Sequence, residues 1–383
     1  MKIRTCAREQ QNELIKLRRT LHQIPELAFC EEETAAFLYE YLEPLLPDSL
    51  ERIAKTGIKA VFYAKGATKT VAIRADMDAL PITEQKGCPF QSKNAGAMHA
   101  CGHDGHMAMA LVTAKIVSEN RDKLRVNYVF LFQPAEEAGG GAEPMIEAGA
   151  LQNPDVDEIY GIHLWPYLPA GKVGLLGGPV MARMNDVNID ITGKGVHGAR
   201  PQQGVDAIVA AAQLVLALQT IVSRNIDPFG SAVLTIGKIE GGDTRNVVPG
   251  RVHLEGTLRT LDEDTAAHIK RRICEVMQGI DTMYGTQSTS YETMMYPPVV
   301  NDRAMAEALI PKFSDSYTAA VPVMLSEDFS YYQKEVPGVL MFLGTLDDMH
   351  TEPLHSSSFG FDEKVLLHGV EYYLRATDFD EPV

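Results

Sequence analysis

The sequence has few cysteines, few positive charges and no long apolar run. Only five of its 383 residues are cysteine, widely spaced and without a CxxC pair, which favours free thiols over a disulfide scaffold. The formal net charge of −16 disfavours nucleic acid and anionic membranes as partners. The most apolar segment, 207–222, is interrupted by polar residues and falls short of the roughly 20 residues that cross a bilayer. Because the N-terminus also lacks the apolar core of a secretory signal, we expect a cytoplasmic protein without membrane association.

The remaining composition is typical of a globular chain of two or three domains, with 45% apolar and 22% charged residues. Short apolar runs at 71–73, 128–132 and 159–162 predict strands that are covered on both faces. A helix is predicted from His103 to about Val117. This alternation predicts an α/β domain with a mainly parallel sheet.

Residues 179–295 follow a different pattern. Apolar and polar residues alternate over 187–192, as in a half-exposed antiparallel strand, and the next elements predict the order β-α-β-β-α-β of an α+β ferredoxin-like unit. We therefore predict an inserted domain at 179–295 within a domain formed by 1–178 and 296–383. Edge strands and an apolar helix at about 205–224 favour a homodimer through the inserted domain.

The densest chemical signal is the segment MHACGHDGH at 98–106. It brings Cys101, His103 and His106 within six positions, with His99 just before them. A thiolate and an imidazole two residues apart can bind one divalent ion when the chain turns between them, and Gly102 permits that turn. The alternatives are a surface loop with chance histidines and a closed structural zinc site, although the latter usually has paired Cys or His spacings that are absent here.

Further acidic and histidine residues follow the predicted strands. Because ligands bind at the carboxyl edge of a parallel sheet, we expect these residues to converge with the cysteine and histidines of 98–106. They are Asp76 and Asp78 after the first strand, Glu136 and Glu137 after the second, and His163 after the third.

The adjacent glutamates Glu136 and Glu137 suit a hydrolytic reaction. On a non-helical turn neighbouring side chains point apart, so one can bind a metal while the other faces a water whose pKa the cation lowers toward about 7. A carboxylate that is not a ligand can take that proton and pass it to a leaving nitrogen. We assign Glu136 as general base and Glu137 as ligand, although an acidic pair alone is equally typical of a helix start.

Ten segments occur in an order that resembles the dinuclear-metal amidohydrolases. This family includes aminoacylase-like enzymes, hippurate hydrolases, N-acetyldiaminopimelate deacetylases and plant hydrolases of indoleacetyl amino acids, and is more distantly related to carboxypeptidase-type enzymes and dipeptidases. The resemblance runs from about Leu14 to Phe361. Its segments are RRTLHQIPELAF, RADMDALPI, MHACGHDGH, FQPAEE, GIHLWP, GKGVHGARP, RNVVPG, GTLRT, SEDFSYY and LHSSSF.

The resemblance implies two divalent metal ions per subunit and a general acid/base at Glu136. Zinc or manganese suits the implied ligands, and cobalt and nickel are also admitted. One departure is Arg74-Ala75-Asp76, where the carboxypeptidase branch has His-x-Asp, so we expect His103 to replace that histidine and Asp76 not to be a ligand. The implied ligands are Cys101 between the two ions, His103 and His163 on one ion, and Glu137 and His355 on the other.

The resemblance also implies roles for three residues of 179–295. His197 would reach the active site of the partner subunit and stabilise the oxyanion, although the sequence does not decide between cis and trans. Asn246 and Arg259 would hold the substrate, with the guanidinium on its carboxylate. A loop cap for Asn246 and a surface charge for Arg259 are equally weighted alternatives.

The predicted function is therefore metal-dependent hydrolysis of the amide bond of small N-acyl amino acids or related conjugates. Residues 1–178 and 296–383 would form the metal-binding catalytic domain, and 179–295 the lid and dimerisation domain. The alternatives are a dipeptidase or carboxypeptidase-type exopeptidase and a non-catalytic metal-dependent binding protein. The sequence assigns no role to His99 or His106.

Overall fold

A computed structural model describes residues 2–85 and 87–379, apart from the side chains of Met294 and Met295. Positions 1, 86 and 380–383, which fall within the predicted catalytic segments, lie outside the described residues. The chain forms two compact units: the first contains the residues up to 178, then 300–321, and those from 328 onward, and the second contains 179–299 and 322–327.

The segment 322–327 differs from the predicted division, which assigned it to the catalytic domain. Val323 forms a parallel β-bridge with Met181, and Leu325 accepts a backbone hydrogen bond from Ala182. These contacts bind the segment to the beginning of the second unit, far away in sequence. Sequence patterns predict local secondary structure and not long-range pairing, so they did not indicate that 322–327 pairs with the second unit.

The helices of the described residues are α1 (Thr5–Glu9), α2 (Gln11–His22), α3 (Glu32–Leu42), α4 (His103–Glu119), α5 (Ala142–Glu147), α6 (Ala207–Asn225), α7 (Glu263–Tyr284), α8 (Arg303–Leu309), α9 (Phe329–Glu335) and α10 (Leu366–Ala376). The strands are β1 (Ser49–Ile53), β2 (Gly57–Phe62), β3 (Thr70–Asp76), β4 (Asn127–Gln133), β5 (Glu158–Pro169), β6 (Val173–Leu175), β7 (Gly178–Met181), β8 (Arg183–Thr192), β9 (Val196–His197), β10 (Ala232–Gly241), β11 (Val247–Val248), β12 (Arg251–Thr260), β13 (Gln287–Tyr296), β14 (Val299–Asn301), β15 (Tyr317–Ala319) and β16 (Gly338–Leu346).

The first unit is built on an eight-stranded sheet with the strand order β1-β2-β4-β3-β5-β16-β6-β15. The central pairs β4-β3, β3-β5 and β5-β16 are parallel, whereas β1-β2, β2-β4 and β16-β6 are antiparallel. Strand β3 is buried along its whole length, as the apolar run 71–73 predicts, and so is its neighbour in sequence β2. The predicted α/β class with a mainly parallel sheet is confirmed.

Helix α4 is buried over most of its length and begins directly at His103. The preceding Gly102 has a φ of 88°, and a Cβ atom there would lie 3.0 Å from the Leu164 side chain. Glycine therefore satisfies both the left-handed backbone and the close approach of β5. This turn fixes the position of the histidine at the start of the helix.

The second unit contains a four-stranded antiparallel sheet in the order β10-β12-β8-β13. The predicted β-α-β-β-α-β order is present as β8-α6-β10-β12-α7-β13. Val187, Ile189 and Ile191 point into its core, while their neighbours along β8 are more exposed. The alternation in the sequence therefore reports a sheet with one covered face.

Among the described residues, α6 is the helix whose length and mean hydropathy of 1.6 would suffice to cross a bilayer. One third of that stretch is buried in the protein, and Leu214, Leu218 and Ile221 pack into the core of the second unit. A core helix of a water-soluble domain passes the same test of length and composition.

Candidate metal centre

The five predicted ligands come together in the first unit. They form two groups, in each of which one ligand atom per residue lies within 4.8 Å of the others. The sulfur of Cys101 belongs to both groups, so the arrangement has a shared central atom. The groups are Cys101, His103 and His163, and Cys101, Glu137 and His355.

The carboxyl edge of the central sheet positions most of these residues. Strand β3 ends at Asp76 and β4 at Gln133, just before the glutamate pair, while α4 supplies His103 at its first position. His163 lies inside β5 rather than at its end, because β5 loses β3 as a partner after Gly161 but continues beside β16. The predicted strand end at His163 was therefore wrong, although the residue still reaches the cluster.

Backbone carbonyls fix the orientation of two imidazole rings. His103 Nδ1 lies 2.9 Å from the carbonyl oxygen of Asp78, and His163 Nδ1 lies 2.8 Å from that of Leu164. Each Nδ1 must therefore donate, which directs each Nε2 into the cluster. His163 Nε2 is 3.4 Å from Cys101 Sγ, and His103 Nε2 is 3.9 Å from Glu137 Oε1. Both rings present the atom that a metal ion would bind.

The electrostatics of the cluster favour a cation. Burial lowers the pKa of His163 to about 3, so its ring is neutral. Burial also lowers the pKa of His103, but Asp76 and Asp78 outweigh this effect and raise the pKa to about 10. Burial and the neighbouring carboxylate of Glu137 raise the pKa of the Cys101 thiol. A nearby positive charge is what would stabilise the thiolate.

The donor set fits a divalent metal. Within the part of the chain that the structure describes, His103 Nε2 is buried without a hydrogen-bond partner. Such an atom is costly to bury unless something binds it. Sulfur, imidazole and carboxylate ligands together suit zinc and also admit other transition metals.

The turn that carries the glutamate pair is fixed by two buried carboxylates. Asp78 accepts hydrogen bonds from the backbone N–H groups of Glu136 (3.0 Å) and Glu137 (2.9 Å). Ala135 has a φ of 56°, in the left-handed region, and its N–H donates to Glu31 at 2.9 Å. This strained backbone directs the two adjacent side chains, and one carboxylate oxygen of Glu136 lies within 4.8 Å of His103 and Glu137.

His355 reaches the cluster from a loop. Its φ of 64° is also left-handed, and its N–H donates to the carbonyl oxygen of Ala100 at 2.9 Å, beside Cys101. Its Nε2 lies 3.3 Å from Glu137 Oε1, while about half of the side chain is exposed. The residue pattern alone gives no signal for this histidine, because it stands by itself in a polar loop. Only the resemblance to a family pointed to it.

A buried network supports the cluster, and sequence reasoning missed most of it. Arg74 donates to Asp76 and to Asp328, each at 2.8 Å. Asp76 Oδ1 lies 2.6 Å from His106 Nδ1, and His106 Nε2 accepts from the N–H of Leu164 at 2.9 Å. One ring nitrogen of His106 thus binds Asp76, and the other binds the backbone of Leu164, next to His163. The signal available in the sequence was the spacing of His106 within 98–106.

His99 is buried beside the cluster segment, with 1% of its surface exposed. Burial lowers its pKa to about 3, so the ring is neutral. Neither ring nitrogen has a hydrogen-bond partner among residues 2–85 and 87–379. His99 adds no ligand to the two groups described above.

The three remaining predicted residues lie in the second unit. His197, on β9, is exposed, and its Nδ1 accepts from the N–H of Ala199 at 3.1 Å. Asn246 is also exposed, and its backbone carbonyl oxygen accepts a hydrogen bond from the N–H of Gly198 at 2.7 Å. The two predicted residues therefore lie on paired loops. Arg259 is partly buried and donates to Ser326 Oγ at 2.9 Å. Their roles in catalysis and binding stay predictions.

Comparison with known proteins identifies the family. The family model described as peptidase family M20/M25/M40 matches residues 72–378. An N-acetyl-L-cysteine deacetylase from Bacillus subtilis is 40% identical over 367 residues, covering 95% of this chain and 87% of that protein. An N-acetyldiaminopimelate deacetylase from Priestia megaterium is 39% identical over 340 residues, covering 87% and 90%.

A solved structure supports the same conclusion. The Bacillus subtilis YXEP protein, described as a dinuclear metal binding peptidase from the M20 family, superposes with a TM-score of 0.86. It is 34% identical, and the match covers 97% of this chain and 98% of that one. The deacetylases among the relatives favour the metal-dependent amidohydrolase function over the exopeptidase and binding-protein alternatives. The chain is a member of the peptidase M20/M25/M40 family and an amide-bond hydrolase.

Proposed function

We propose that this protein removes the acyl group from small N-acyl amino acids, using two divalent ions held by Cys101, His103, His163, Glu137 and His355. One observation carries the proposal: two ligand groups share the Cys101 sulfur, and the carboxylate of Glu136 lies beside them. The two similar deacetylases are named for N-acetyl substrates, so an N-acetyl amino acid is the substrate class to test first.

When bound, the ions supply Lewis acidity for the acyl carbonyl and lower the pKa of the attacking water. Glu136 takes a proton from that water and delivers it to the leaving nitrogen. Asp78 keeps the Glu136 carboxylate in place because it binds the backbone of both glutamates. Burial of the cluster strengthens these electrostatic interactions relative to bulk water.

Further parts of the proposal concern the second unit. His197 stabilises the oxyanion, from the partner subunit of a homodimer, and Asn246 and Arg259 hold the carboxylate end of the substrate. The free edge of the β10-β12-β8-β13 sheet and the apolar α6 support dimerisation through residues 179–295. The net charge of −16 supports small molecules as partners, and not nucleic acids or anionic membranes. The polar N-terminal segment supports a cytoplasmic location.

A substrate screen tests this function. The purified protein, loaded separately with zinc, manganese, cobalt or nickel, is offered N-acetyl and N-benzoyl amino acids and matched dipeptides. We expect hydrolysis of the N-acyl amino acids, with the best metal identified by kcat/KM. A preference for dipeptides would indicate an exopeptidase instead of a deacetylase. Inactivity with all substrates and metals would contradict a catalytic function.

The variant Glu136→Gln tests the mechanism with nearly the same shape. We expect kcat to fall by about 10²- to 10⁴-fold, because a general base is lost, while metal content is unchanged. Glu143→Gln, in the first turn of α5, is a control outside the cluster and should keep wild-type kinetics. Near-normal turnover of Glu136→Gln would remove this residue from the mechanism.

A further inference from the structure

A second cluster of metal-type ligands lies in the first unit and shares no residue with the candidate metal centre. It contains His22, the last residue of α2, and Glu84 and Cys88 from the loop that follows β3. One ring nitrogen of His22, one oxygen of Glu84 and the sulfur of Cys88 lie within 4.8 Å of one another. His22 is 2% exposed and Glu84 is 7% exposed, so two of the three donors are buried.

The orientation of His22 suits a ligand. Its Nδ1 lies 2.6 Å from Asp104 Oδ2, and its Nε2 lies 3.3 Å from Glu84 Oε1. Without a metal, a protonated ring donates from Nδ1 to Asp104 and from Nε2 to Glu84, and an ion bound at Nε2 would take the place of the second proton. A carboxylate behind a metal-binding imidazole is the arrangement that orients histidine ligands in known metal sites.

The charges around the cluster allow one divalent ion to replace two protons. Arg18 Nε lies 2.9 Å from Asp104 Oδ2, and both Arg18 and Arg19 contact Glu363. His22 contacts Asp104 and Glu84, so two arginines and a protonated histidine balance the three carboxylates of Asp104, Glu84 and Glu363. Binding of one divalent ion, with release of one proton from His22 and one from Cys88 to solvent, leaves the group electrically neutral, so the ion adds no uncompensated buried charge.

A cavity gives this cluster access to solvent. The cavity has a volume of about 280 Å³, and its lining includes His22, Glu84, Cys88, Phe90 and Phe361. Three protein ligands leave at least one position of a tetrahedral ion open, and a cavity of this size holds the water that fills it. Cys88 is only partly buried, so its thiol can lose its proton to this solvent.

We propose that His22, Glu84 and Cys88 form a third metal site that binds zinc. Imidazole, carboxylate and thiolate together are ligands that zinc accepts in tetrahedral geometry. Asp104 directly follows His103, so the ion would link the end of α2 and the loop after β3 to the first turn of α4. Its role would then be structural, because it holds the helix that begins with a residue of the candidate metal centre.

The test counts bound zinc in the full-length protein. The metal-free protein is equilibrated with micromolar zinc, passed through a desalting column and analysed by inductively coupled plasma mass spectrometry. We expect wild type to retain one zinc ion per subunit more than Cys88→Ser and Glu84→Gln. Cys274→Ser, at an exposed cysteine of the second unit, is the matched control and should retain the wild-type number. All four proteins keep the residues of the candidate metal centre, so the difference does not depend on the proposed function.

A second readout identifies the residue. Zinc should slow the labelling of Cys88 by a thiol reagent at least tenfold, measured by mass spectrometry of the labelled peptide, and leave the labelling of Cys274 unchanged. Far-ultraviolet circular dichroism of metal-free wild type and Cys88→Ser shows that both fold alike. Equal zinc content in wild type and folded Cys88→Ser, or labelling of Cys88 that ignores zinc, would overturn the site.

Discussion

The two units hold their predicted functional residues in different ways. In the first unit, Cys101, His103 and His163 are at most 5% exposed, and backbone carbonyls fix both rings. In the second unit, His197 and Asn246 are exposed and bind only residues nearby on their paired loops, as far as residues 179–299 and 322–327 are described. The first group is thus preorganised by the fold, whereas the second is presented on a surface.

This contrast separates two kinds of mutational effect. A change in the buried network of the first unit removes partners from charged groups that water cannot reach, so it affects the free energy of unfolding. A change at an exposed loop residue of the second unit leaves no buried group unsatisfied, so only activity should respond. The predictions below test that separation, beginning with the largest effect.

Arg74→Met should destabilise the protein by about 3–5 kcal/mol, because it leaves Asp76 and Asp328 buried beside an uncharged side chain. Urea unfolding followed by circular dichroism measures the change. Arg251→Met, at an exposed position of β12 in the second unit, is the control and should change the free energy of unfolding by no more than about 0.5 kcal/mol. Similar losses for both variants would erase the contrast between the units.

His197→Ala should lower kcat by about 10²- to 10³-fold, as expected for loss of one oxyanion donor, with unchanged stability. His253→Ala is the control, because that histidine is also on the second unit but pairs with Asp190 at 2.9 Å. Mixing inactive His197→Ala with inactive Glu136→Gln should restore activity if the histidine acts in trans. Lack of recovery from a mixed dimer would place its action in cis, and full activity of His197→Ala alone would remove the role.

The sequence predicts the first unit's cluster well because its residues are concentrated in short segments or follow apolar strands. Cys101 and His103 are two positions apart, and Glu136 and Glu137 follow β4. A rule about sheet edges therefore suffices to bring them together. His355 is different, because its place depends on a loop whose left-handed backbone and bond to Ala100 are tertiary features.

The supporting network is equally hidden in the sequence. Nothing in the spacing of Arg74 and Asp328, which are separated by 254 positions, indicates that they pair. The return of 322–327 to the second unit is a long-range pairing of the same kind. Local periodicity encodes which face of an element is buried, but not which distant polar group will meet it there.

Arg259→Lys should raise KM about tenfold or more with little change in kcat. Lysine keeps the positive charge but not the planar fork that suits a carboxylate, and charge-assisted hydrogen bonds contribute about 1.5–3 kcal/mol. Arg251→Lys on the same strand is the control and should leave KM unchanged. If Arg259→Lys left KM unaltered, Arg259 would not bind the substrate. Its role would then be the structural contact with Ser326 within the second unit.

The smallest expected effect is a pH-dependent change in the free energy of unfolding. It is compared between one carboxylate of each unit. Burial raises the pKa of Glu13, but hydrogen bonds from Lys115 and Tyr41 outweigh burial and lower the pKa below its usual 4.5. The unfolded chain therefore binds more protons at this site, so Glu13 contributes stability above pH 4.5 that is lost as pH falls through the folded-state pKa.

In the second unit, the hydrogen bond from Lys238 lowers the pKa of Glu255, and both partners of this pair are more exposed than Glu13 and Lys115. Urea unfolding at about pH 7 and about pH 3 should show wild type more stable than Glu13→Gln at the higher pH only, even in high salt. Any difference between wild type and Glu255→Gln should vanish at high salt, because solvent ions screen an exposed pair more than a partly buried one. If salt removed both differences equally, partial burial would not protect the Glu13 ion pair from screening by salt. The contrast between the units would then be confined to their candidate sites.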